Sequence, residues 1–121
     1  MDELISRLVA NVGVDKDAAE KAVAIMFEFL RKEGPPDKVE ALLERVPGAL
    51  ELLKAHEGES SGGMFSLGGI MGAGTKMMAA GLSMGQVQGV ARETLAFARE
   101  KAGEDAVGEI VGAVPGLSQF V

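Results

Sequence analysis

His56 is the only histidine in the chain, so a metal site would have to join it to carboxylates, of which Glu51, Glu57 and Glu59 stand nearest in sequence. Protein metal sites draw on several His, Cys or carboxylate ligands at defined spacing. One imidazole among acids at irregular intervals reads instead as a solvated helix end, and no metal is expected. Asp15-Lys16-Asp17 followed by Glu20 resembles the opening of a calcium loop, but the glycine and the distant bidentate glutamate are missing. Asp15 is better placed to cap a helix. Glu40 and Glu44 would share one helix face, as paired catalytic carboxylates do, yet the ordinary reading is a solvated stripe. Ser60, Ser61, Ser66, Ser83 and Ser118 have no histidine at a recognisable spacing, and none sits in a nucleophile elbow. The run Gly68-Gly69-Ile70-Met71-Gly72 follows no strand and leads into no Gly-Lys-Ser/Thr, so it is not a phosphate loop. No acid, base and nucleophile set assembles from these residues, and the chain reads as a non-enzyme without a cofactor.

Composition narrows the remaining classes. With 121 residues and 47% hydrophobic content, the chain is one folded domain with a single core. The net charge is -6, and neither Lys nor Arg clusters, which argues against nucleic acid and anionic membranes as partners. Trp and Tyr are absent, so base-stacking platforms are not expected either. Cysteine is absent too, which removes disulfides, thiolate nucleophiles and sulfur metal sites. Met1-Asp2-Glu3-Leu4 lacks the basic start and apolar core of a secretory signal, and the cytoplasm is the expected compartment. From Gly62 to Leu82 the chain is long enough to cross a bilayer, but Lys76 interrupts it and Leu, Ile and Val are scarce there, so no transmembrane span is expected.

The elements that would position any site are helices. Leu4, Ile5, Leu8, Val9 and Val12 recur at helical spacing and predict a first helix over about Asp2 to Val12, ending at Gly13. Val14 and Asp15 read as staple and N-cap of a long helix through Ala19, Ala22, Val23, Met26, Phe27 and Leu30, stopped by Gly34-Pro35-Pro36. Asp37 opens a shorter helix with Val39, Leu42, Leu43 and Val46 inward. Pro47-Gly48 then breaks the direction before a further turn or helix to about His56.

Shifting the chain by 68 positions superposes Gly13 on Gly81, Phe29 on Phe97, Arg31 on Arg99, Asp37 on Asp105, Val39 on Val107, and Val46-Pro47-Gly48 on Val114-Pro115-Gly116, without a gap. Conservative pairs follow the same shift: Val14 with Leu82, Ala22 with Val90, Phe27 with Leu95, Leu42 with Ile110. Ser83 and Gln86 form a capping box, with Leu82 and Val87 as its staple. Phe29 and Phe97 read as core, and Arg31 and Arg99 sit at the favourable end of the helix dipole. The expected architecture is therefore an all-α helical bundle of two duplicated three-helix units. Repeat one covers 1–57, a Gly/Ser-rich linker 58–69, and repeat two 70–121. The long helices, about Asp15 to Lys32 and Ser83 to Lys101, lie at the centre. The first helix of repeat two falls at about Ile70 to Ala80, where Gly72 and Gly74 each cost on the order of 1 kcal/mol against alanine.

The chain at this point resembles a family of small bacterial proteins, the VcgC/VcgE type. The resemblance rests on Gly13-Val14-Asp15 opening the long helix, Val46-Pro47-Gly48 closing the unit, a Gly/Met-rich middle, and Gly81-Leu82-Ser83 opening the second long helix. It covers most of the chain and implies the fold. Its motifs are structural, and it brings no activity or site residue with it. The family includes exported members, whereas a signal is not evident here.

Each repeat serves as a control for the other. Where repeat one carries Asp17, Lys21, Glu40 and Glu44, repeat two carries Gly85, Gly89, Gly108 and Gly112. Each glycine pair is spaced by four residues and shares a helix face, which the charges of repeat one mark as the solvated side. A mid-helix glycine costs roughly 0.5–1 kcal/mol, so such a face needs a compensating contact. A face without side chains admits close packing, and three covers fit: the segment of Met64, Met71, Met77, Met78 and Met84 folding back, a second copy of the chain, or an external partner. Drift in a tolerant helix is the alternative without a cover. The expected function is a non-enzymatic interaction or scaffold module, self-associating or bound to a protein partner. Its face comprises Gly85, Gly89, Gly108, Gly112, Met71, Met77, Met78 and Met84. The competing reading is a small apolar-ligand or lipid-associated binding protein with the Met-rich segment as pocket wall or lid.

Overall fold

A computed structural model describes residues 2–46, 48–55 and 69–114. The described residues form seven helices and no strand: α1 Asp2–Asn11, α2 Lys16–Glu33, α3 Pro36–Arg45, α4 Ala49–Ala55, α5 Gly69–Ala79, α6 Met84–Ala102 and α7 Glu104–Ala113. The protein is all-α. Pro47, His56, Met64, the linker 58–68 and the Pro115-Gly116 break lie outside the described residues.

Local chemistry sets the helix ends. α6 starts at the expected capping box: the Gln86 N–H donates to Ser83 Oγ at 3.3 Å, and the Ser83 N–H donates to Gln86 Oε1 at 2.9 Å. Asp15 holds the N-cap of α2 but makes no side-chain cap bond. Gly13 and Gly81 turn the chain between helices with φ of +81° and +106°, values that a side chain would strain. At the ends of α3 and α7, Val46 and Val114 adopt matching extended conformations and are buried, each donating its N–H to the carbonyl four residues back at 3.1 Å.

The two long helices share the centre. On α2 the buried positions Ala19, Ala22, Val23, Met26, Phe27, Phe29 and Leu30 correspond, at the 68-residue shift, to Val87, Val90, Ala91, Thr94, Leu95, Phe97 and Ala98, all buried on α6. α2 and α6 touch each other. α1 packs on α6 as well as on α2, while α5 packs on α2 as well as on α6, so each first helix leans on the long helix of the other half. α3 and α7 cover the ends of their own long helices and meet each other. Burial of the Leu and Phe side chains in this layer, each worth about 1.5–3 kcal/mol, drives the assembly.

The first helices depart from the uniform shift. α1 buries Leu8 and leaves Val9 42% exposed, whereas α5 buries Met77, the residue that the shift pairs with Val9. The closing hydrogen bonds explain the offset. Gly13 N–H reaches back to Leu8 O, but it is Leu82 N–H, one residue past Gly81, that reaches back to Met77 O. α5 therefore brings its last core residue one position nearer its glycine than α1 does, and its buried face is offset by one residue.

Side chains lock the halves together. Arg7 of α1 donates twice to the Glu100 carboxylate of α6, one bond being 2.9 Å, and also meets Glu3 at 3.3 Å. Arg7 and Lys101 both lie over the Phe97 ring, at 5.5 and 5.3 Å from its centre. The Arg7 guanidinium, hydrogen-bonded to Glu100, is held above its ordinary pKa, and Glu100 below the usual carboxylate value for the same reason. Lys38 of α3 pairs with Glu109 of α7, and Arg45 donates to Ala102 O at 3.2 Å, at the end of α6. These pairs are exposed or part-buried, so they set register more than stability.

Candidate interaction surface

The charged residues of the first half stand where the sequence pattern puts them, in solvent: Asp17, Lys21, Glu40 and Glu44 are all exposed. Their glycine counterparts divide. Gly85 on α6, and Gly108 and Gly112 on α7, are exposed, and a Cβ added at any of them would meet no described atom within 4 Å. Gly89 is different. A Cβ there would come within 3.0 and 3.2 Å of the Val12 methyls, so this glycine lets the α1–α2 turn approach the α6 backbone. The counterparts of Val12 and Gly89 are Ala80 and Lys21. The first pair combines a large turn residue with a bare helix position; the shifted pair combines a small turn residue with a long one.

The methionines divide too. Met77 is buried in the core, whereas Met78 and Met84 are 44% and 60% exposed. Met84 is the first residue of α6 and adjoins Gly85 in sequence. Met71 lies in α5, its side chain outside the description, and Met64 lies outside the described residues. Of the eight residues expected on one face, Gly85, Gly108, Gly112, Met78 and Met84 thus remain at the surface, while Gly89 and Met77 are engaged inside the fold. The offset in α5 accounts for Met77: the residue that turns inward there is the counterpart of exposed Val9, which the uniform shift could not foretell. Intramolecular cover by the described methionines does not extend over Gly85, Gly108 or Gly112.

Among the described residues, the back of α6 carries less cover than that of α2. From Ala22 to Phe27 every residue of α2 is buried, including Ala24 and Ile25 on its flanks. The corresponding residues on α6 are Arg92, exposed, and Glu93, half-buried. α4 packs on both α2 and α3, and no helix among the described residues stands in that place against α6 and α7.

No family model, curated protein or solved structure matches the chain. The surface must be read from its own chemistry.

That chemistry is sparse in reactive groups. No group of three or more His, Asp or Glu among the described residues is arranged to hold a metal ion, and His56 lies outside them. None of the described helices is long and apolar enough to cross a membrane. A cleft of about 380 Å³ runs beside α1 and the start of α2, and one of about 230 Å³ lies among Arg31, Glu40, Leu43, Glu44 and Leu50; no methionine lines either. In the core of α6, the Thr94 hydroxyl is fully buried and has no hydrogen-bond partner among the described residues, at the position that Met26 holds on α2. No pattern signals this: Thr94 sits on the apolar face of the helix, and its unpaired oxygen emerges only with the neighbouring helices in place.

Proposed function

We propose that the protein is a non-enzymatic interaction module that self-associates through the outer surface of its second half, with Gly85, Gly108, Gly112, Met78 and Met84 at the contact. The observation that carries this reading is the exposure of three helical glycines where the first half has charges, one of them, Gly85, next in sequence to the 60% exposed Met84. Such glycines cost helix stability without gaining an internal contact. A partner surface that packs close to the bare backbone supplies the missing compensation, and methionine adapts to irregular contacts. An isologous pair of copies is the simplest assembly that fits one such patch per chain.

The same reading includes an internal duplication. Helix bounds that recur within one residue of a 68-residue shift, and the shared buried positions of α2 and α6, support it. Membership of the VcgC/VcgE type and a bacterial source belong to this proposal too, carried by the motifs around Gly13, Val46 and Gly81; a cytoplasmic location rests on the acidic start Met1-Asp2-Glu3-Leu4. The rival reading, an apolar-ligand protein walled by the Met tract, loses ground because Met77 is buried in the core and, among the described side chains of that tract, Met78 and Met84 alone are exposed.

The test is Gly85→Leu combined with Gly108→Leu. Association should weaken while helix content by circular dichroism is retained. An unchanged solution mass with unchanged melting would sink the proposal.

A further inference from the structure

We propose that residues 117–121 of the same chain dock on the face shared by α6 and α7, in the way that α4 docks on α2 and α3. The inference rests on the 68-residue correspondence and not on the self-association reading. Residues 117–121 lie outside the described residues, but the chain leaves α3 and α7 in the same direction. Val46 and Val114, which close the two helices, have φ/ψ of -92°/109° and -102°/114°, and a proline and a glycine follow each of them. Proline confines the residue before it to extended backbone, which writes this exit into the sequence. After Val46 the chain turns at Gly48, with φ of +84°, and the Ala49 N–H returns to Val46 O at 3.1 Å, which lays α4 against α2 and α3.

The residues that follow the turn carry the pattern of a docked face. On α4, Ala49 and Leu53 are buried and Leu52 is half-buried, whereas Leu50 and Glu51 are exposed. At the 68-residue shift the three inward positions become Leu117, Phe120 and Val121, and the two outward ones become Ser118 and Gln119. Every inward position is apolar and both outward positions are polar, a cleaner partition than that of α4, which leaves Leu50 at the surface. Burial of Leu117, Phe120 and Val121 against the bundle is the favourable way to remove that apolar face from water.

The seat is complementary. The cleft of about 230 Å³ brings Leu50 of α4 together with Arg31 of α2 and Leu43 of α3, and the counterparts of those two helix residues are Arg99 and Val111. Val111 and Val114 are buried, and Arg99 is half-buried where Arg31 is exposed, although none of the described helices stands in the place of α4 against α6 and α7. Arg92, about two turns before Arg99, is exposed, so the seat lies toward the Arg99 end of α6. Leu43 gives way to the smaller Val111 on the helices, while Ala49 and Leu52 give way to the larger Leu117 and Phe120 on the segment, so bulk lost from one side returns from the other. α4 leaves Glu40 and Glu44 exposed, and a segment seated in the same way leaves Gly108 and Gly112 open to a second copy.

Isotope-filtered NOE spectra of the full-length protein test the docking. Contacts are expected from the Phe120 ring to the Val111 and Val114 methyls within one chain. Phe120→Asp should speed amide exchange along α7 about tenfold, because an apolar contact that holds the helix is lost. Ser118→Asp and Gln119→Lys, at the outward positions, should leave that exchange unchanged, and Phe120→Leu should retain most of the protection. An absence of contacts from Phe120 to either valine, contacts that run only between differently labelled chains, or an equal effect of Ser118→Asp would each overturn the proposal. The same spectra report the limits of α3 and α7, so a failure of the 68-residue correspondence shows separately, as helices that do not recur at that shift. A monomer that keeps the Phe120 contacts would bear out the docking and count against the self-association reading alone.

Discussion

The outer surfaces of α2 and α6 differ although their inner faces are buried at matching positions. α2 is enclosed on every side from Ala22 to Phe27, with α4 packed on it and on α3; α6 presents exposed Arg92 and half-buried Glu93 at the places of Ala24 and Ile25, with exposed Gly85 on the same helix. A shared core with divergent outsides means that the two halves are under the same packing constraint and different surface constraints. Close-packed interiors tolerate little change, whereas surfaces can diverge toward separate partners. The divergence takes a particular form: charges on the first half, bare backbone and methionine on the second.

The strongest way to break this comparison is at Gly89, the one glycine of the four that packs internally. Gly89→Leu should destabilise the fold by about 1–3 kcal/mol, because Val12 stands 3.0 Å from the added carbon. Combining Gly89→Lys with Val12→Ala reproduces the residue types of the shifted pair, Lys21 and Ala80, and should recover most of the loss in urea unfolding. If the double variant were no better than Gly89→Lys alone, the two turn contacts would not be interchangeable.

Next in size is Thr94. Replacing it with valine removes an unpaired buried hydroxyl at constant shape, and stability should rise by about 1 kcal/mol. A fall of similar size would show that the hydroxyl has a partner after all.

Gly108→Ala and Gly85→Ala then sharpen the comparison, since they separate monomer stability from association. Each should stabilise the isolated chain by roughly 0.5–1 kcal/mol through helix propensity, and each should weaken self-association, because the added methyl stands in the contact. Thermal melts and sedimentation of one sample therefore move in opposite directions. If both properties rise together, these glycines are outside any interface.

The smallest effect is expected from the Arg7–Glu100 pair. Glu100 has its folded pKa lowered by the Arg7 hydrogen bond, so its contribution is present above the unfolded glutamate value and is lost as pH falls through the folded value. The wild type should thus lose a slight stability increment below about pH 4 that Glu100→Gln does not show. Both partners are exposed, which keeps the increment small.

Much of the fold was legible because it rests on local signals. Gly13 and Gly81, the Ser83–Gln86 box and the apolar spacing from Ala19 to Leu30 each act within a few residues, and the helices begin and end within a residue or two of where these place them. The inward turn of Met77 was not legible, because it depends on how the last turn of α5 closes onto its glycine, a hydrogen-bonding choice that a uniform shift cannot encode. Val12 over Gly89 is a contact between residues far apart in sequence, and a glycine gives no hint of what approaches it. The charge-to-glycine substitutions were visible from the first, yet whether each glycine was open or covered needed the neighbouring helices in place.

The central claim is that the open second half is a surface for another copy of the chain. Sedimentation equilibrium of the wild-type protein over a concentration series tests it most directly. A dimer that dissociates on dilution is the predicted result, and a single monomer mass across the whole series would contradict it.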